Sequence, residues 1–209
     1  MIEVISLDMS QMFEEWKETF LHPGTTFPKM VKTANLGGGL QHLAVGYVVY
    51  AILSFIAAII VGTLIGGAAG LALGASLGIM GAIVMIIGGI IGGLIAAGIM
   101  WIIAKILGGV GSYGAQLHMT SAPLAFILVL SGILSFIPIV GSIIALLLMI
   151  YYLYPLTIAL REAHKFSTLK AVACWLLPII IVGIIVVLLG VALLATLGAA
   201  GAAAGGYYR

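Results

Sequence analysis

Apolar residues fill three long stretches of this chain, at 33–104, 106–160 and 171–208, and no Asp, Glu, Lys or Arg interrupts them. A helix crosses a hydrocarbon core of about 30 Å with about 20 residues. Lipid offers no partners to backbone N–H and C=O groups, so each crossing must be a helix or part of a closed barrel. The runs lack the two-residue alternation of barrel strands, which selects helices. The first stretch predicts two spans, about Gln41–Ile65 and Ile79–Ile106, joined by the small-residue run Gly66–Gly78. The second predicts a polar loop, Gly108–Ser121, and then a hairpin over 122–160 that turns near Pro138–Gly141. Its arms are close to the minimum spanning length, which leaves a re-entrant hairpin open. The third predicts one span, about Ala171–Leu197.

The fold class expected is therefore an all-α integral membrane protein with five transmembrane helices behind a short amphipathic cytoplasmic helix. Three regions follow: an N-terminal arm over 1–36, a five-helix transmembrane domain over 37–200, and a Gly/Ala-rich tail over 201–209. With the N-terminus in the cytoplasm, Lys17, Lys29, Lys32, Lys105, Arg161, Lys165 and Lys170 share the cytoplasmic side, and Arg209 alone lies opposite. That asymmetry is what the positive-inside rule requires. A sixth span would break it. The first 35 residues lack the basic start and short apolar core of a secretory leader.

Residues 3–21 place Ile5, Met9, Met12, Trp16 and Phe20 on one helical stripe. The opposite side is acidic, with Glu14, Glu15 and Glu18 among its residues. Membrane-surface helices are normally basic there, because inner-leaflet lipids are anionic, so an acidic helix suits protein docking. Two readings stand: the helix packs on the chain's own loop Arg161-Glu-Ala-His-Lys165, or it is presented to a partner. The prolines of His22-Pro-Gly-Thr-Thr-Phe-Pro28 are expected to end it and redirect the chain. The candidate partner face comprises Glu14, Glu15, Trp16, Glu18, Arg161, Lys165 and Lys170.

Composition changes this picture little and excludes much. The chain is 64% hydrophobic and 7% charged over 209 residues, whereas soluble domains carry about 25% charged residues. Eight basic and six acidic residues give no electrostatic footprint for nucleic acid. The lone Cys174 makes no intrachain disulfide, and His22, His42, His118 and His164 show no metal-ligand spacing. No catalytic residue, metal or cofactor is expected. Gly74-Ala-Ser-Leu-Gly78 and Gly109-Val-Gly-Ser-Tyr-Gly114 match a hydrolase elbow and a dinucleotide loop by letter only; neither follows a β-strand.

Gly62, Gly66, Gly70, Gly74 and Gly78 recur every fourth residue, and Gly88/Gly92 and Gly89/Gly93 repeat the spacing. Such grooves admit another backbone closely. These glycines are the candidate helix-packing residues, within the chain or between copies. Helical structure is allowed through part of 62–78.

Tyr151-Tyr-Leu-Tyr-Pro155, followed by Leu160-Arg-Glu-Ala-His-Lys-Phe-Ser-Thr-Leu-Lys-Ala171, resembles the Yip domain family of Ypt/Rab-interacting membrane proteins. Phe27-Pro-Lys-Met30 and Gly37-Gly-Gly-Leu40 are similar to the segment before that family's first span. The resemblance covers nearly the whole chain and implies a non-enzymatic membrane protein, since eukaryotic members serve vesicle transport and bind prenylated GTPases and one another. This chain lacks an acidic Asp-Leu-Tyr-Gly-Pro-like segment and looks closer to compact prokaryotic members. The function expected is a membrane scaffold or adaptor, with membrane lipids, further copies or other membrane proteins, and a cytoplasmic protein as partners. The contrasting expectation is a passive channel or transporter for a small neutral molecule.

Overall fold

The computed structural model describes residues 8–205. Residues 3–7 of the expected N-terminal helix, with Ile5 of its apolar stripe, and the tail residues 206–209 lie outside the described residues. Every element among the described residues is a helix: α1 Met9–Leu21, α2 Pro23–Met30, α3 Leu36–Ile106, α4 Tyr113–Leu134, α5 Pro138–His164 and α6 Thr168–Gly205. Four are long and apolar enough to cross a membrane: Leu36–Ile106, Tyr113–Leu134, Pro138–His164 and Thr168–Ala192.

The 71-residue α3 is not straight. Gly67 has φ 56° and ψ −136°, a conformation open in practice to glycine alone. The chain reverses there, and the two arms of α3 run back along each other. Gly62 meets Gly70, Ala58 meets Gly74, Phe55 meets Gly78, Tyr47 meets Gly89 and Leu43 meets Gly93. The run 66–78, expected as a connection between spans, is helical on both sides of this single break. Glycines at fourth positions let the arms approach until backbone touches backbone, so the reversal needs no longer loop.

A second difference lies in the expected loop 108–121. Only 107–112 connects α3 to α4; from Tyr113 onward the chain is helical. The Ser112 side chain accepts from the Ala115 N–H and caps the helix start. Gln116, His118, Thr120 and Ser121 are polar yet buried. They face other helices, which is why polarity misleads about this segment. The expected turn of the 122–160 hairpin falls at 135–137, where Pro138 opens α5 at a position that needs no N–H partner. Residues 23–30 form a short helix instead of a simple redirection, with Pro23 in its first turn and Pro28 inside it.

Burial is concentrated at one end of the bundle. There α1 and α2 contribute Met12, Trp16, Phe27 and Met30 to a core shared with Met119, Ala122 and Ala125 of α4 and Ile158, Ala159 and Ala163 of α5. A second cluster joins Phe20, Ala104, Ile127, Tyr152, Leu160, Ala171 and Cys174. Towards the other end, aliphatic side chains such as Leu64, Leu77, Ile139, Leu146 and Val187 point outward. Apolar surface on that scale is stable only against hydrocarbon.

Candidate functional site

The buried end of the bundle carries a cluster built from residues far apart in sequence. Trp16 and Phe20, one turn apart, turn into the core and place Glu15 beside the first turns of α3 and α4. Glu15 Oε1 accepts from His42 Nε2 at 3.2 Å and from His118 Nε2 at 2.9 Å. The far nitrogens of both rings are also engaged. The Trp16 indole N–H donates to His42 Nδ1 at 2.8 Å, and the Asn35 backbone N–H donates to His118 Nδ1 at 3.1 Å. The rings lie 4.7 Å apart between centroids. His42 is 0% and His118 5% exposed.

Glycine makes this approach possible. A Cβ on Gly38 would collide with the His118 ring, and one on Gly39 with the backbone of His118. Asn35 holds the same turn from the other side: its side-chain oxygen accepts from the Gly38 N–H at 2.9 Å while its own N–H serves His118. The Ser121 hydroxyl donates to the Gly39 carbonyl at 3.1 Å, a further link between α3 and α4.

The three acceptor-bearing side chains lie close enough to surround a cation, with ligand atoms within 4.8 Å of one another. Their proton chemistry opposes it. An indole N–H and a peptide N–H can only donate, so both Nδ1 atoms must be lone-pair acceptors. The single proton of each neutral ring then sits on Nε2, the atom facing Glu15. A metal at that point would require two imidazolates, whereas metal-bound histidine normally keeps its other nitrogen protonated and donating. The arrangement fits a carboxylate. Burial works to raise the Glu15 pKa, but the hydrogen bonds from His118 and His42, whose positive N–H ends point at the carboxylate, outweigh it and hold it down to about 2. Glu15 is an anion across the physiological range.

A second polar bridge crosses the helices nearby. Gln116 donates from Nε2 to the Ala97 carbonyl at 2.8 Å and accepts from His164 Nε2 at 2.7 Å, linking α3, α4 and α5. The His164 Nδ1 atom has no hydrogen-bond partner among the described residues. Tyr152 donates to the Thr120 carbonyl at 2.9 Å, and Tyr151 donates to the Phe20 carbonyl at 3.1 Å, which ties α5 to α1. A cavity of about 240 Å³ lies between Leu43, Tyr47, Gly92, Thr120 and Tyr152. The Thr120 and Tyr152 hydroxyls are spent on backbone carbonyls.

The expected partner face is divided. Trp16 is buried, and Glu15 is turned inward to the histidines. Glu14 is exposed and pairs with Lys17 at 2.7 Å, while Glu18 meets His22 at 3.3 Å. Helix α1 therefore lies chiefly against α4. Among the described residues its acids pair with Lys17, His22, His42 and His118, not with Arg161 or Lys165. At the end of α5, Arg161 and the C-cap residue Lys165 share Glu162, at 3.0 and 3.9 Å. Lys170 reaches across to the Leu107 carbonyl at 2.8 Å. Of the candidate packing glycines, Gly62, Gly70, Gly74 and Gly78 lie in the α3 contact; Gly66, Gly88 and Gly92 face open space. Gly89 and Gly93 carry the contact farther along.

His42, His118 and Asn35 were not legible as a site, because their partners stand 26, 83 and 103 positions away. One signal was present. A histidine inside an apolar run is costly unless paired, so His42 asks for a partner.

These features define an integral membrane protein of bundled helices with one buried, polar-clasped end. A family model described as the Yip1 domain matches residues 17–202. The chain belongs to the Yip1 domain family. Neither the curated proteins nor the solved structures gave a match.

Proposed function

We propose that this protein is a non-enzymatic membrane scaffold or adaptor that serves trafficking or membrane organisation, with α1 as its presented element. Membership of the Yip1 domain family supports a trafficking role. The observation that carries the adaptor reading is the Glu15 clasp, which seats α1 on α4 and orients its remaining residues. With Trp16 and Glu15 facing inward, Met9, Phe13, Glu14 and Leu21 of α1 stay exposed. A rigidly held helix with an apolar and acidic outer edge suits a protein partner, since ordering costs are met before binding. Arg161 and Lys165 extend the polar surface at the end of α5.

Cross-linking and affinity capture from native membranes test this. The charge-reversed variant E14K/E18K should lose the proteins captured with the natural chain while its helical content is unchanged. Undiminished capture by that variant overturns the adaptor reading.

A further inference from the structure

The turn that closes α3 gathers two lysines from different helices. Lys105, in the last turn of α3, donates from Nζ to the Gly109 carbonyl at 3.2 Å. Lys170, in the first turn of α6, donates from Nζ to the Leu107 carbonyl at 2.8 Å. Helix C-termini leave carbonyls unsatisfied and carry partial negative charge, which explains why two like charges settle on one turn. That partial charge does not neutralise two ammonium groups. Among the described residues the ion pairs are made elsewhere: Glu14 with Lys17, Glu15 with the histidines, Glu18 with His22, and Glu162 with Arg161 and Lys165. Each ammonium has three hydrogens and spends one on a carbonyl.

The neighbouring side chains decide what kind of anion fits. Ile106, Val110 and Leu169 adjoin the two lysine contacts in sequence and are 78%, 71% and 79% exposed. Lys105 lies over the Trp101 ring at 5.6 Å and Lys170 over the Phe166 ring at 5.8 Å, the aromatic setting of a membrane interface. A free phosphate would answer the charge and leave three aliphatic side chains in water. An anionic phospholipid answers both.

We propose that Lys105 and Lys170 together bind the phosphate of an anionic phospholipid whose acyl chains cover Ile106, Val110 and Leu169. The site is distinct from the α1 clasp and does not depend on the adaptor reading.

Native mass spectrometry of the full chain in detergent, with phosphatidylglycerol or phosphatidylcholine added, tests it. The natural chain should retain phosphatidylglycerol in preference to phosphatidylcholine. A basic residue near a charged surface contributes about 1 kcal/mol, so K105Q/K170Q should lower phosphatidylglycerol retention about tenfold or more. K105R/K170R should keep it. K29Q/K32Q removes the same charge from two other exposed lysines and should leave retention unchanged. The single variant K170Q, at an exposed position, should give a partial loss even if the double variant does not fold. Unchanged retention in K105Q/K170Q and K170Q, or equal loss in K29Q/K32Q, overturns the site. Displacement of the lipid by an equal concentration of inorganic phosphate overturns its assignment to lipid.

Discussion

Each buried imidazole in the α1 clasp has two nitrogens and one proton to place, and its neighbours make the choice. Trp16 and Asn35 present hydrogens to Nδ1, so Nε2 carries the proton towards Glu15. Nitrogen-15 NMR of histidine-labelled protein should report the Nε2–H form for His42 and His118; protonated Nδ1 signals would contradict the clasp. Zinc should not raise the melting temperature. Removing the acceptor leaves two buried N–H groups, each costing about 1–3 kcal/mol. Glu15→Ala should therefore lower the melting temperature and speed proteolysis within α1, while Glu15→Gln, which retains an acceptor oxygen, should do less.

The acid limb follows from the same carboxylate. Its pKa is depressed in the folded protein to about 2, against an ordinary value of 4.5. The unfolded chain therefore binds the proton more readily between those values, and protonation favours unfolding. The contribution of Glu15 is present in full above pH 4.5 and is lost as pH falls towards 2. Within that window the stability difference between the natural protein and Glu15→Gln should shrink as pH falls. A difference that widens on acidification would refute the assignment.

At the scale of the element, α3 depends on one residue for its reversal and on a few for its closure. Gly67 occupies a backbone region where a side chain is strained by about 1–3 kcal/mol. Gly67→Ala should destabilise the protein by that order in reversible unfolding from mixed micelles. A Cβ on Gly74 would run into the Ala58 carbonyl, so Gly74→Leu should cost about 1–3 kcal/mol or more through overpacking. Gly88→Leu, at a position facing open space, should be close to neutral. Equal losses at 74 and 88 would mean that the fourth-position glycines do not divide into contact and free faces. The spacing alone does not separate Gly88 from Gly89; the rotation of one arm about the other selects Gly89 and Gly93.

At the scale of the whole molecule, the folded-back α3 together with α4, α5 and α6 is the basis for proposing five crossings, with the termini on opposite sides. Reporter tags on Met1 and Arg209 should be accessible from opposite aqueous phases, and access from one phase would remove the proposal. Most of the helical plan was legible from the chain. The charge-free runs located the apolar helices, and the turn expected near Pro138–Gly141 falls just before it, at 135–137, because Pro138 suits the first turn of α5. The start of α4 was not legible: Gln116, His118, Thr120 and Ser121 look like loop when their partners are unknown. The seat of α1 was equally hidden, since an acidic helix near a basic loop suggests pairing between them. Glu15 instead meets two neutral rings.

Local composition settled that this protein lives in lipid as helices, because an uncharged run of sufficient length has no other stable form there. It also placed the glycines that permit close approach. Which glycines touch, which polar residues face inward, and which acid leaves the surface were decided only by tertiary structure. Those outcomes depend on groups brought together across as many as 103 positions, where no spacing rule operates and the directions of single hydrogens determine what fits.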